Sequence, residues 1–254
     1  MTSFALSAAT LWWRECVRFY RDRARALSSI VTAVLFWVLI GFGLGRSFEP
    51  AGMPSAMGSI EYLYPGTIVF VVLLTAIIGT FSLIEDRREG FLQGVLVAPV
   101  PRSAIVMGKV LGGSTMATLQ GALLLLVTPL VGIPFHPAGF TLALAALFLT
   151  AFAFTALGFV LAWRMESIQG FHGIVNLILM PMWFLSGALF PVEGAARGLQ
   201  LLMRLDPVTY GLAAFRGSLY GGAFGGPVTA GLAWLVTAGF AVGAFGLAVV
   251  VARR

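Results

Sequence analysis

Along the 254 residues, polar and apolar positions are sorted into long blocks rather than interleaved. Five stretches carry no Asp, Glu, Lys or Arg: 26–45 (20 residues), 62–84 (23), 110–163 (54), 167–192 (26) and 217–252 (36). A helix needs about 20 apolar residues to cross the roughly 30 Å hydrocarbon layer of a bilayer. Each stretch therefore holds at least one crossing. The longest is interrupted by Gly132-Ile-Pro-Phe-His-Pro-Ala-Gly139, whose two prolines and two glycines break a helix and suit a tight hairpin. The last opens with the glycine-rich segment 217–227, which defers the final crossing to its second half. The pattern predicts one all-α polytopic membrane domain over 1–254, with six transmembrane helices at about 26–45, 62–84, 105–131, 140–163, 169–190 and 228–251.

Three segments between these blocks carry their own patterns. In Trp12–Arg25, at about 100° per residue, Arg14, Arg18, Arg21 and Arg25 share an arc of roughly 60°, with Trp12, Cys16 and Phe19 opposite. Arg23 falls on the apolar face. This is the pattern of a helix lying in the membrane plane, and it also serves as a topology signal. The loop Glu85–Arg102 holds six of the 26 charged residues, followed by a short apolar run, Phe91–Val97, closed by Pro99 and Pro101. It reads as a surface element that docks on another protein or as a solvated turn. The connection from Pro191 to Pro227 is long for a hairpin. Its interrupted apolar runs, Leu199–Leu205 and Tyr210–Arg216, suit re-entrant helices, which need protein or a cavity to shield their backbone.

Composition excludes a soluble globular enzyme: 10% of residues are charged, against about 25% in ordinary soluble proteins, and 59% are hydrophobic. With six spans, twelve of the sixteen Lys and Arg lie on the side of the two termini, which places both termini in the cytoplasm of a multi-pass plasma (inner) membrane protein. The net charge of +6 is then an insertion signal with some attraction to the lipid bilayer, and no nucleic-acid partner is expected. The basic segment and apolar core at the start are long for a cleaved signal, so the first span is expected to be retained. The single Cys16 excludes an intramolecular disulfide and a cysteine-based metal site; no metal site is expected.

Two other functional classes fit less well. An ion-coupled secondary transporter keeps ionisable groups at mid-membrane, whereas the charges here avoid the span centres, and His136 and His172 sit at a turn and a span edge. An intramembrane hydrolase could use Ser186 beside Gly187, but Phe184 stands where the usual preceding glycine would be, and no acid lies at a depth to orient a histidine. No catalytic residue is expected. Asn176, Met180 and Phe184, with Met182 and Trp183, are candidates to line a path, or else to pack between helices. Gly41/Gly45, Gly108/Gly112 and Gly239/Gly243 are small-residue pairs at helix-contact spacing.

The run Glu85-Asp86-Arg87-Arg88-Glu89-Gly90-Phe91-Leu92, continuing through Pro99 and Arg102 to Gly108-Lys109, resembles the first cytoplasmic loop of type-2 ABC exporter permeases. Asn176 to Pro191, followed by Leu205-Asp-Pro-Val-Thr-Tyr-Gly-Leu-Ala-Ala-Phe-Arg216, is similar to that family's other signature, found in drug-resistance, nodulation-factor and polysaccharide exporters. Phe91 and Gln93 stand where many members have Thr and an acid. The resemblance implies that Glu85–Pro99 form a coupling helix entering a cleft of an ATPase subunit. It implies that Trp12–Arg25 form the membrane-surface helix touching the same subunit, and that Leu199–Arg216 cap the exit path. It further implies two copies of the ABC ATPase, with ATP and Mg on that partner and no cofactor on this chain. A second permease copy would complete a homodimer or close heterodimer. The expected activity is efflux of an amphipathic drug, lipid or glycoconjugate. The sequence itself lacks a Gly-x-x-x-x-Gly-Lys-Ser/Thr loop, since Val110 follows Gly108-Lys109, so ATP hydrolysis is expected on a separate chain.

Overall fold

The computed structural model describes residues 2–21, 59–133, 136–221 and 228–253, with isolated positions between 21 and 59. Most of the expected first span, Arg23, Arg25 and the Gly41/Gly45 pair lie outside the described residues. Among the described residues every long element is helical and there is no strand. The helices are α1 (Thr2–Arg21), α2 (Ser59–Gly79), α3 (Phe81–Arg88), α4 (Phe91–Val97), α5 (Arg102–Leu125), α6 (Pro137–Trp163), α7 (Ile168–Leu185), α8 (Arg197–Leu205), α9 (Pro207–Leu219) and α10 (Ala230–Arg253).

Helix α2 is apolar on every face, and a helix of that kind is stable only when surrounded. It occupies the centre, with Ile68, Val69, Val71, Val72, Leu73 and Ala76 buried, and packs on α5 and α6. Helix α6 packs on α5, α9 and α10 and is rich in buried alanines, and its Gly158 sits against Ile77 and Thr80 of the α2–α3 rod, where a Cβ would come within 3.0 Å of the Thr80 hydroxyl. Helix α7 is the opposite case: Phe171, Val175, Leu179 and Trp183 form one buried stripe while Ile174, Leu177, Ile178 and Phe184 stay exposed.

Among the described residues four helical stretches are long and apolar enough to cross a membrane: Glu61–Arg88, Pro137–Trp163, Ile168–Leu185 and Ala230–Arg253. Helix α5 has the length but carries Lys109, Ser114, Thr115, Thr118 and Gln120, and it is not one of the four. Several boundaries differ from those expected. The second span runs on past residue 84, because α3 continues α2 after a kink at Thr80, and charge does not end a helix whose backbone bonds persist. The third stops at Leu125 rather than 131: Pro129 cannot donate to a helix, and Thr128–Val131 close as a tighter turn ending at Gly132, which has φ 92°. The fifth stops at Leu185 instead of 190, where Gly187, at φ 84°, turns the chain.

Caps are supplied locally. Ser167 accepts from Gly170 N at 3.2 Å at the start of α7, and Asp206 accepts from Val208 N at 2.9 Å at the start of α9, with Pro207 in the first helical position.

Candidate functional site

The α3–α4 end of the molecule is built around a buried carboxylate. Asp86, on the last turn of α3, has no exposed surface. Arg14 of α1 grips it with two nitrogens, at 2.9 Å to Oδ2 and 2.6 Å to Oδ1, in a fork that suits a carboxylate. Arg18 reaches Asp86 Oδ1 at 3.0 Å and Glu85 Oε2 at 2.6 Å. From α5, Lys109 donates to Asp86, to Glu15 Oε1 at 2.6 Å and to Ser82 Oγ at 3.2 Å. Three cations therefore meet three carboxylates where α1, α3 and α5 converge, with no net charge left over. The Asp86 hydrogen bonds hold the Arg14 guanidinium above its ordinary pKa even though burial opposes them.

Helix α1 lies close enough for this because α5 presents glycine to it. A Cβ on Gly108 would come within 2.6 Å of Leu11 Cβ, and one on Gly112 within 2.5 Å of Glu15 Cβ. The Gly108/Gly112 pair is thus the seat of α1. Gly239 and Gly243 on α10 have nothing within 4 Å of the corresponding position. Beside the cluster opens a cleft of about 210 Å³, lined by Gly79, Gly112 and Gly113 together with Thr75, Ser82, Glu85, Phe19 and Met116.

Helix α4 projects beyond the cluster. Gly90, at φ 77°, separates it from α3, a conformation that any other residue would strain. Leu92 is buried, whereas Phe91, Leu96 and Val97 are exposed, Val97 by 87%. Phe91 is tied back to the cluster, its ring centroid 3.8 Å from the Arg14 guanidinium carbon. Displacing α4 must therefore disturb Arg14, and Arg14 holds Asp86.

This geometry corrects two expectations. The residues expected as one coupling helix, Glu85–Pro99, form two elements: Glu85, Asp86, Arg87 and Arg88 complete the long α2–α3 rod, and only Phe91–Val97 make the separate helix. The left-handed residue at Gly90 is the physical reason. Nor do all the charges face a partner. Asp86 is spent inside the cluster, while Arg87 donates to the carbonyls of Met165, at 3.1 Å, and Trp163. Arg88 donates to Glu166 O at 3.1 and 2.7 Å. Those carbonyls lie at the C-terminal end of α6, where backbone acceptors lack helical partners and cations are favoured. Arg102 does the same for α10 through Ala252 O at 2.9 Å and Arg253 O at 2.8 Å.

Helix α1 is amphipathic, but Arg14 and Arg18 turn to the protein rather than to headgroups. The exposed apolar face is Leu6, Trp13 and Tyr20, seven residues apart. Trp12, expected on the apolar face, donates its Nε1 to Thr115 Oγ1 at 3.1 Å, and Phe19 lines the cleft. Arg21 is exposed. Asn176 and Phe184 are exposed on α7, one step around the helix from its packing stripe, and Met180 on the same line is partly buried against the core. Ser186 is buried with its hydroxyl on Trp183 O at 2.7 Å, and His172 packs edge-on to Phe81. Glu15, Ser82 and Arg216 went unnoticed in the sequence reading. The signal for Glu15 was a carboxylate inside an arginine-rich run; for Arg216 it was a lone cation closing an apolar segment.

The family model for ABC-2 type transporters matches residues 7–220, which include every group of the charged cluster and helices α4 to α9. Among similar curated proteins are the inner membrane transport permease YadH of Escherichia coli K12, 23% identical over 218 residues covering 85% of this chain and 84% of the relative. Nodulation protein J of Sinorhizobium fredii is 27% identical over 210 residues, covering 80% of this chain and 78% of the relative. The inner membrane transport permease YhhJ of Escherichia coli K12 is 27% identical over 206 residues, covering 80% of this chain and 50% of the relative. With its apolar helices and a family match across most of its length, the chain belongs to the ABC-2 type transporter family as a membrane transport permease.

Proposed function

We propose that this chain is the membrane-spanning subunit of an ATP-driven exporter, moving an amphipathic drug, lipid or glycoconjugate out of the cell with energy from a separate ATPase subunit. ATP and Mg are held on that partner. Two permease chains and two ATPase subunits make the working assembly. Each permease chain crosses the inner membrane six times with both termini in the cytoplasm, and α8 and α9 form a re-entrant cap on the outer side.

The observation that carries this reading is α4: a short apolar helix left exposed at the tip, tied through Phe91 and Arg14 to a neutral but rigid knot of charges. An ATPase that closes on ATP and pushes α4 would move Arg14, and with it Asp86 at the end of the α2–α3 rod. Because α2 is the packed centre of the molecule, a shift at its inner end reaches the outer end without a chain of soft side chains. The cluster carries no net charge, so its members can move together without exposing a lone ion.

Purification with a candidate ATPase tests this. Val97→Asp alters only an exposed side chain, and it should weaken the complex at least about tenfold while leaving the permease folded. Charge reversal at Arg87 or Arg88 is a poorer test, because it uncaps α6. Full transport with no ATPase subunit present would sink the reading. A thiol placed at His136 should react from outside intact cells; reaction only after permeabilisation would overturn the topology.

A further inference from the structure

At the α9 end of the molecule one buried cation gathers three elements. Arg216, 8% exposed, donates from Nη1 to Gly187 O at 2.9 Å and from Nη2 to Tyr62 O at 3.0 Å and Ala188 O at 3.5 Å. Its guanidinium carbon stands 4.3 Å from the centroid of the Tyr62 ring. The Tyr62 hydroxyl donates to the same Gly187 carbonyl at 2.8 Å. Around this centre, Tyr220 OH donates to Glu61 O at 2.8 Å and Trp183 Nε1 to Gly66 O at 2.9 Å. The start of α2, the turn after α7 and the end of α9 are thereby fastened to one another, and each of these acceptors is a backbone carbonyl.

The backbone is shaped for it. Gly187, at φ 84°, turns the chain where its own carbonyl and that of Ala188 meet Arg216. Gly66 lets α2 approach that turn: a Cβ there would lie 2.8 Å from Ala188 Cβ and 3.0 Å from its backbone.

We propose that Arg216 is the pin of an outer latch, a positioning residue that keeps the outer ends of α2, α7 and α9 shut until the ATP-driven cycle releases cargo; this rests on the exporter reading above. The reason is geometric. A guanidinium offers its donors in a fixed plane, and carbonyls from two separate segments meet it at once. A small outward swing of α9 breaks the guanidinium's bonds to all three carbonyls together and strands a cation and its acceptors in a dry interior. Only entry of water restores them. Intermediate separations are therefore disfavoured, and the mouth is either closed and dry or open and wet. A lysine, with one compact charge, cannot span the same acceptors.

The test uses the permease–ATPase complex in lipid nanodiscs, with Cys16→Ala and a reporter, Leu189→Cys, on the turn after α7. The rate of reaction with a water-soluble maleimide is measured with and without ATP. In the parent, labelling is slow and ATP accelerates it. Arg216→Met should raise the nucleotide-free rate about tenfold and make it nearly independent of ATP, with Arg216→Lys between. Gly66→Ala, which wedges the same joint, should also raise it. A purely structural role would lower the melting temperature of Arg216→Met but leave the ATP response intact. Tyr62→Phe keeps the ring and loses one hydroxyl bond, and a two- to fivefold faster rate is expected, roughly one weak hydrogen bond. Should Arg216→Met fail to fold, Tyr62→Phe and Gly66→Ala decide the matter. Parent-like rates in folded Arg216→Met, or in both of those substitutes, overturn the latch. Fast variants with no ATP effect in the parent keep the latch and remove the exporter reading instead.

Discussion

The α3–α4 end and the α9 end of this permease are both fastened by cations, but to different acceptors. At the α3–α4 end Arg14, Arg18 and Lys109 are matched by Glu15, Glu85 and Asp86, side chain to side chain across three helices. At the α9 end Arg216 is held by backbone carbonyls. Several ion pairs share the load at the first joint, so it stays assembled when one helix is pushed. Carbonyls move only with the backbone, so the joint at Arg216 opens as a whole or not at all. The proposed coupling to an ATPase draws on the first arrangement, and the proposed latch on the second.

The difference can be broken most severely at Asp86. Asp86→Ala removes the shared acceptor and leaves Arg14 and Lys109 without their central partner, at a cost of about 3–5 kcal/mol, as for other buried pairs stripped of one member. Loss of the folded chain in thermal unfolding is the expected outcome; a melting temperature within a degree or two of the parent would show that the cluster is not a structural joint.

Next comes Asp206, at the α8–α9 corner. It is 6% exposed, its Oδ2 has no hydrogen-bond partner among the described residues, and burial pushes its pKa up to about 7, against the bond from Val208. In the unfolded chain the same carboxyl ionises near pH 4. The folded chain therefore binds the proton more tightly, and folding is most favoured below about pH 4. Stability falls as the pH rises from about 4 to 7 and is unaffected by this group above that, a change of at most about 4 kcal/mol. Melting followed across this window should flatten in Asp206→Asn relative to the parent, and an unchanged slope would remove Asp206 from the account.

Smaller effects separate the seat of α1 from the charges above it. Gly112→Ala adds one methyl against Glu15 Cβ and should cost about 1–3 kcal/mol through overpacking, seen as faster proteolysis of α1 with the α5–α6 bundle intact. At the α9 end Tyr62→Phe should cost about 1 kcal/mol, the usual net worth of one hydrogen bond. Val97→Asp should leave unfolding unchanged within about 0.5 kcal/mol while weakening ATPase binding. If it destabilised the permease instead, α4 would be part of the fold rather than a docking element.

Legibility in the sequence followed the kind of interaction. The blocks that became α2–α3, α6, α7 and α10 were plain, because lipid and core alike demand long uncharged helices. The α4 element and its flanking prolines were plain for the same reason in reverse: a run of seven apolar residues is too short to span. The family resemblance drawn from the loop and from Asn176–Arg216 agrees with the match over residues 7–220. The partners of the charges were not legible. The acid-base run at Glu85–Glu89 looked like a surface for another protein, yet Asp86 faces inward and Arg87 and Arg88 cap α6. Whether a charge on a helix end turns out or in depends on what the neighbouring helix presents, and Lys109 and Glu15 are 23 and 71 positions away from Asp86.

By itself the sequence determined that this chain is a helical membrane body with charge confined to a few places, since hydrophobic spans and their breaks are local properties of composition. Only the tertiary structure decided what those charges do. Packing α1 on Gly108 and Gly112 brought Arg14 to Asp86, and the turn at Gly187 brought its carbonyl to Arg216, because close approach between distant segments is set by the shapes of both.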